Sequence, residues 1–391
     1  MEHKLRKPIL NIGTLGAVGD GKTSLIKSLS GILTTRHSSE KTRNITIKLG
    51  FANWKYYDDE NKTKELSLLN HISFVDCPGH HEYINTMLSG INIIDGAIVI
   101  ISVNAKIKNK PQLIQHLGAI KVGNIKKVII CLNKIDLVSK DTILEIKEEL
   151  DELLKEYDIK PFVIIPTSFT KNLGINYLKK AIMLLFNPND IINDNNKKDK
   201  DNIFRITRSF DINKPNTDWQ ELKGGVIGGS VTSGIFKIGD EIEIKPGYKG
   251  VSLKTKIISL QTEDIKLDTI TKGGLIGIGT DLDPFYCKDD FLAGQICSLV
   301  NKLSDNITSL PDNITSLTIN YEFITIFGFV WKPVLNDIVT LQIGTTIIDA
   351  KLVNLKKNIF ELSKPCCILE SDSIVICKKI NNILRIVAKS I

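Results

Sequence analysis

Residues 16–23 read GAVGDGKT and fall between an apolar, β-branched run, ILNIGTL (9–15), and a helical pattern, KTSLIKSLSG (22–31). The glycines let the backbone curl into a nest of N–H groups, and a lysine and a threonine stand at its exit. This G-x-x-x-x-G-K-[ST] spacing at a strand-to-helix turn is a phosphate-binding P-loop. Its contact residues are Gly16, Ala17, Val18, Gly19, Asp20, Gly21, Lys22, Thr23 and Ser24. A strand that feeds a helix through such a loop restricts the first part of the chain to an α/β domain.

The surrounding pattern agrees. ISFVDC (72–77), GAIVIISV (96–103), KKVIICLN (126–133) and FVIIPTS (162–168) are nearly continuous apolar runs, as expected of parallel strands covered on both faces. Gly31 caps the first helix, and PQLIQHLGAIKVG (111–123) begins on a proline suited to a first helical turn. DTILEIKEELDELLKEY (141–157) has apolar residues at i, i+3/i+4 with acids and lysines on its other face. The expectation is an α/β P-loop domain with a doubly wound, mostly parallel sheet over 1–190.

A polar linker, 191–202, follows within NPNDIINDNNKKDKDN (187–202). Beyond it, short strands punctuated by Gly, Pro and Asp predict two antiparallel β-barrel domains, 203–300 and 301–391, divided near 298–315.

With 391 residues, 42% of them hydrophobic, the chain can bury several cores. Its net charge of +7 permits a polyanionic partner without demanding one. Seven cysteines without a CxxC pair point to a reducing, cytoplasmic compartment rather than a disulfide scaffold. MEHKLRKP has no signal-peptide character, and the most apolar run, 93–103, is shorter than the ~20 residues that span a bilayer, so no membrane partner is expected.

Three further motifs extend the P-loop. NKID (133–136) ends the fourth predicted strand: Asp136 can accept from the N1–H and 2-amino groups of guanine, which adenine lacks. Asn133 braces that loop, the Lys134 stem covers the base, and Ser168 with the Phe169 N–H closes the pocket from the fifth strand. Asp76 and Gly79 form D-x-x-G, with the carboxylate toward Mg²⁺ and the glycine N–H toward the γ-phosphate. Thr46, in RNITIKLG (43–50), and Thr23 complete an all-oxygen magnesium shell. GTP or GDP with Mg²⁺ is therefore the expected cofactor set.

Taken in order, GAVGDGKTS, RNITIKLGFAN, VDCPGHHEY, NKIDLV, RSFDINKP and LKGGVIGGS resemble the gamma subunit of archaeal and eukaryotic translation initiation factor two, a relative of elongation factor Tu. The likeness covers the chain to about residue 297 and is thinner beyond. It implies a GTPase domain and two barrels that bind initiator methionyl-tRNA in the GTP state and deliver it to the small ribosomal subunit. It also implies alpha and beta subunits, a GTPase-activating protein and a nucleotide-exchange factor as partners. Phe51 stands where the family often has tyrosine, either as a pocket residue for the aminoacyl end or as core.

His80 occupies the family position that orients the attacking water, between apolar gates at Val18 and Ile45, and is the catalytic residue implied. His81 is expected at a solvated helix entry and Cys77 in packing. Many relatives carry a cysteine-rich zinc knuckle, but 52–70 contains no cysteine, so no zinc is predicted. Gly19 and Asp20 replace an acidic or small residue and a histidine, Phe169 replaces a small alanine, and NILRIVAKSI lacks the family's terminal glycine. The alternatives are an elongation-type GTPase for another aminoacyl-tRNA, against which KLGFAN and RSFDINKP weigh, and a nucleotide-bound assembly scaffold with little hydrolysis.

Overall fold

The computed structural model describes residues 7–34, 46–57, 68–107, 110–187, 201–214, 218, 221–300, 312–324 and 330–391. The expected gate at Ile45, the linker over 191–200, much of the cysteine-free segment 52–70 and most of the second domain cut lie outside the described residues.

Six strands form the first sheet: β1 (Leu10–Leu15), β2 (Gly50–Tyr57), β3 (Leu68–Asp76), β4 (Gly96–Ser102), β5 (Val128–Asn133) and β6 (Val163–Pro166). Their order is β2-β3-β1-β4-β5-β6, parallel except for β2, which runs antiparallel to β3 with Gly50 opposite Asp76 and Trp54 opposite Ile72. The helices are α1 (Lys22–Ser30), α2 (Ile84–Ile91), α3 (Pro111–Val122), α4 (Lys140–Glu156) and α5 (Ile175–Leu185). Every residue of β1, β4 and β5 is buried, which is why these strands read as unbroken apolar runs. Edge strand β2 instead alternates buried and half-exposed residues.

Leu25, Ile26 and Leu29 of α1 and Leu178 and Ile182 of α5 follow the three-to-four-residue helical spacing and pack on Ile12, Ile98, Ile100 and Ile129. Each such burial contributes about 1.5–3 kcal/mol. Ser139 caps α4 by accepting from the Thr142 N–H at 3.2 Å, and Gly31 closes α1 through its N–H to the Lys27 carbonyl at 2.9 Å. Because β1, β4 and β5 are parallel, their C-terminal ends share one edge, where the loops after them meet.

By contact density the chain forms two units: Met1–Ile192 with Phe323–Trp331 and Cys377–Ala388, and Asn193–Glu322 with Lys332–Ile376 and Lys389–Ile391. The second antiparallel region holds β7 (Ile203–Phe210), β8 (Val226–Ser233), β9 (Ile235–Lys237), β10 (Glu241–Tyr248), β11 (Val251–Thr262), β12 (Ile265–Leu267), β13 (Thr269–Thr271), β14 (Ile276–Thr280) and β15 (Ile296–Leu299). The ladder β10-β15-β7-β8-β14-β11 returns to β10, so six strands close into a barrel around Phe204, Ile227, Phe236, Ile244 and Ile278.

The last region comprises β16 (Ile314–Thr318), β17 (Tyr321–Phe323), β18 (Ile338–Ile343), β19 (Thr346–Asn354), β20 (Ile359–Cys366), β21 (Ile374–Ile380) and β22 (Ile383–Ser390). Its ladder runs β16-β20-β19-β18-β21-β22-β17, which among the described residues is an open half-barrel rather than a closed one. Gly and Asn turns reveal hairpins in a sequence. Closure depends on the pairing of distant edges, and no local pattern encodes that.

Candidate functional site

The P-loop leaves β1 at Gly16 and enters α1 at Lys22. Lys22 is buried, and its ammonium donates to the carbonyls of Gly16 (2.9 Å) and Ala17 (2.8 Å). Burial lowers its pKa, opposed by the charges of Asp76 and Asp20. Gly21 has φ +108°, and a Cβ there would lie 2.5 Å from Asn133 Nδ2. Only glycine permits that approach. Through it Asn133 Nδ2 donates to the Asp20 carbonyl at 2.8 Å, while its Oδ1 accepts from the Phe169 N–H at 3.3 Å. One side chain thus ties the P-loop to the loops after β5 and β6.

Beneath the P-loop, β3 ends on the buried Asp76. Its Oδ2 accepts from the hydroxyls of Thr23 (2.8 Å) and Thr34 (2.5 Å), and its Oδ1 from Thr14 (3.2 Å). Burial pushes this carboxyl up from the usual range, opposed by the Thr34 bond, the Lys22 charge and the bonds from Thr23 and Thr14. Gly79 follows, so close to the P-loop that a Cβ would lie 2.8 Å from the Gly16 carbonyl oxygen. Hydroxyls and a carboxylate are an oxygen donor set suited to a hard cation.

After β5, Lys134 adopts a left-handed backbone, φ 66°, and starts a short 3₁₀ turn, Ile135–Leu137, that leaves Asp136 exposed. The Ile135 N–H donates to the Thr167 carbonyl at 3.2 Å, joining this turn to the loop after β6. Ser168 is buried and accepts from the Lys171 N–H at 3.3 Å. The Phe169 ring, 7% exposed, joins the core beside Gly21, which is how the loop accommodates a large side chain.

These elements enclose a cleft of about 330 Å³ lined by Val18, Gly19, Gly21, Lys22, Thr23, Ser24, Thr46, Gly79, Asn133, Lys134, Phe169 and Thr170. Of the residues expected from sequence, Gly16, Ala17, Asp20, Asp76, His80, Asp136 and Ser168 are not in its wall. Asp76 sits behind Thr23, and Asp20 points inward. Thr34, Thr170, Thr14 and His116 were not singled out in the sequence. Thr34 meets Asp76 across 42 residues, and no spacing motif marks it.

His80 stands at the N-cap of a 3₁₀ turn, its Nδ1 accepting from the Glu82 N–H at 3.3 Å. Its ring neighbours are His81, with centroids 4.2 Å apart, and Tyr83, at 6.0 Å. The ligand atoms of His80, His81 and Glu82 lie within 4.8 Å of one another on half-exposed or exposed side chains. Cys77 is not among them: it is fully buried, and burial drives its thiol pKa upward, as for a packing residue. His116 of α3 is also buried. Burial and the Lys22 charge push it down to about 3, against a hydrogen bond to the Gly79 backbone, so the ring beside that glycine is neutral.

Comparison with known proteins extends the reading. The family model of the elongation factor Tu GTP binding domain matches residues 7–188, and that of initiation factor eIF2 gamma, C terminal, matches 324–391. The chain is 35% identical to the eukaryotic translation initiation factor 2 subunit gamma of Encephalitozoon cuniculi, over 99% of this chain and 93% of that protein. It belongs to the translation initiation factor 2 gamma subunit family. A second gamma subunit, from Methanocaldococcus jannaschii, is 36% identical over 97% of this chain and 96% of its own length. The likeness that thinned near residue 298 in the sequence therefore continues to the C-terminus.

Members of this gamma-subunit family are translational GTPases, and this chain is one. Among solved structures, a bacterial selenocysteine-specific elongation factor, EF-Sec, superposes with a TM-score of 0.72 at 22% identity, over 98% of this chain and 58% of that one. The SelB factor of Methanococcus maripaludis in complex with a GTP analogue gives 0.72 at 20% identity, over 97% of this chain and 79% of that one. These two show the shared fold. No helix among the described residues is long and apolar enough to cross a membrane.

Proposed function

We propose that the cleft takes GTP with Mg²⁺, that the loaded protein binds initiator methionyl-tRNA and delivers it to the small ribosomal subunit, and that hydrolysis to GDP releases it. The observation that supports this best is the convergence of Lys22, Thr23, Gly79 and Asn133 on one cleft in a chain of the gamma-subunit family.

Lys22 is held by two carbonyl oxygens that phosphate oxygens replace when nucleotide enters, and the N–H groups of 16–24 cradle the β-phosphate. Asp136 accepts from guanine, the Lys134 stem covers its face, and Asn133, Ser168 and Phe169 keep the two base loops in register. Thr23, Thr46 and Asp76 offer the oxygen ligands magnesium prefers, and a buried carboxyl already gathered onto Thr23 fits that role. When bound, Mg²⁺ offsets the charge that develops between the β- and γ-phosphates. Thr46 and Gly79 each present an N–H to the γ-phosphate and lose that contact on hydrolysis, so their segments act as switches.

The side chain of His80 is 29% exposed and turned toward Glu82. It must rotate toward the cleft to orient the attacking water, a movement that falls to the ribosome and a GTPase-activating protein. Alpha and beta subunits complete the factor in this reading, and an exchange factor reloads GTP. A second reading is delivery of a different aminoacyl-tRNA, as the names of the selenocysteine-specific factors suggest, but that likeness does not carry it. At 20–22% identity it speaks for fold only, against 35–36% for initiation-factor subunits.

Competition between initiator and elongator methionyl-tRNA for the GTP-loaded protein separates the two readings. Preference for the initiator is expected, with affinity that weakens as salt rises. Equal affinity for both removes the assignment.

A further inference from the structure

Behind the P-loop lies a buried ion pair that no nucleotide contact explains. The carboxylate of Asp20 and the ammonium of Lys110 are 2.8 Å apart, with side chains 2% and 8% exposed. Asp20 Oδ2 accepts from the Ala17 N–H at 2.8 Å, inside the loop itself. Its Oδ1 accepts from the Ser102 N–H (3.1 Å), the Ser102 hydroxyl (2.5 Å) and Lys110. Lys110 also donates to the Ser102 carbonyl (2.7 Å) and hydroxyl (2.6 Å), so each of its three protons has an acceptor.

Three elements meet here. Asp20 belongs to the P-loop, Ser102 ends β4, and Lys110 immediately precedes α3. The Asp20 carbonyl is also the acceptor of Asn133. The carboxylate therefore fixes the curvature of the loop through Ala17, but it sets a negative charge behind a cradle meant for anions. A buried carboxylate is tolerable there only with a partner, and removing one member of such a pair costs far more than removing both.

We propose that Lys110 is a positioning residue for the nucleotide. Its ammonium neutralises Asp20, which lets the carboxylate clamp the P-loop without repelling the phosphates. The inference rests on the cleft being the guanine-nucleotide site, and it adds a residue that lies 90 positions from its partner and outside every motif. The pair meets the loop at the Ala17 N–H and forms no part of the cleft wall, so the loss caused by an unpaired Asp20 falls on binding of the diphosphate and not on the rate of hydrolysis at saturating GTP.

The test measures the affinity of a fluorescent GDP derivative for the full-length chain, its Lys110→Met and Asp20→Asn variants and the double variant, alongside their melting curves. Lys110→Met is expected to bind at least tenfold more weakly, with unchanged single-turnover hydrolysis once saturated. The double variant should bind within threefold of the unaltered chain, whereas Asp20→Asn alone, which leaves the Lys110 ammonium buried without its carboxylate, should melt several degrees lower. Wild-type affinity in Lys110→Met, or a double variant as weak as Lys110→Met, overturns the proposal. If Lys110→Met does not fold, binding by the double variant carries the proposal, and loss of binding in the double variant overturns it. Failure of the unaltered chain itself to bind GDP would instead contradict the nucleotide reading.

Discussion

At the scale of single residues, three side chains carry distinct expectations. Asp76 is buried with its pKa raised, so folding favours its protonated form, and its ionisation becomes a cost as pH rises through the folded value. A cation removes that cost. Asp76→Asn should therefore leave the melting temperature of the nucleotide-free protein unchanged or higher while abolishing the Mg²⁺ dependence of GDP affinity. A melting point lower by several degrees would contradict this account.

His116 has the opposite sign. Its folded pKa of about 3 lies below that of a free histidine, so the unfolded chain takes up the proton first, and stability declines as pH falls from about 6.5 toward 3. The slope approaches about 1.4 kcal/mol per pH unit. Urea unfolding at pH 7.5 and 5.5 should show it, and His116→Gln should flatten it. His80→Ala, in contrast, is expected to bind GTP normally and lose activated hydrolysis. Full activated turnover in that variant would remove its catalytic role.

At the scale of elements, the site is where the loops after β1, β3, β5 and β6 meet. Asn133 spans two of them. Asn133→Ala removes its bonds to the Asp20 carbonyl and the Phe169 N–H, and urea unfolding should register a loss of about 1–3 kcal/mol together with weaker GDP binding.

Much of this was legible in the sequence, because Lys22, Thr23, Asp76, Gly79 and Asn133 sit at fixed spacings at or just after the ends of apolar strands. What escaped it depends on distance along the chain. Thr34 reaches Asp76 and Lys110 reaches Asp20 only after the sheet has formed, and a threonine or lysine in a loop carries no local mark of such a partner. Edge strand β2 escaped too: its GFANWKYY has no continuous apolar run, since one face only is buried. Phe169 stood out as an oversized residue, but its place in the core beside Gly21 follows from that glycine's missing side chain.

At the scale of the whole molecule, the closed barrel and the half-barrel are joined by a buried pair, Arg205 from β7 and Asp372 from the loop before β21, with side chains 8% and 1% exposed. Arg205→Met strands a carboxylate in the interior and should cost about 3–5 kcal/mol in denaturant unfolding, while replacing both partners by apolar residues should recover most of it. The function proposed for the whole molecule is to convert the state of the nucleotide into affinity for a tRNA. The most direct test is the affinity of initiator methionyl-tRNA for the protein loaded with a non-hydrolysable GTP analogue and with GDP, at one fixed salt concentration. Binding at least tenfold tighter in the GTP-like state is the predicted result. Equal affinity in the two states would contradict the account.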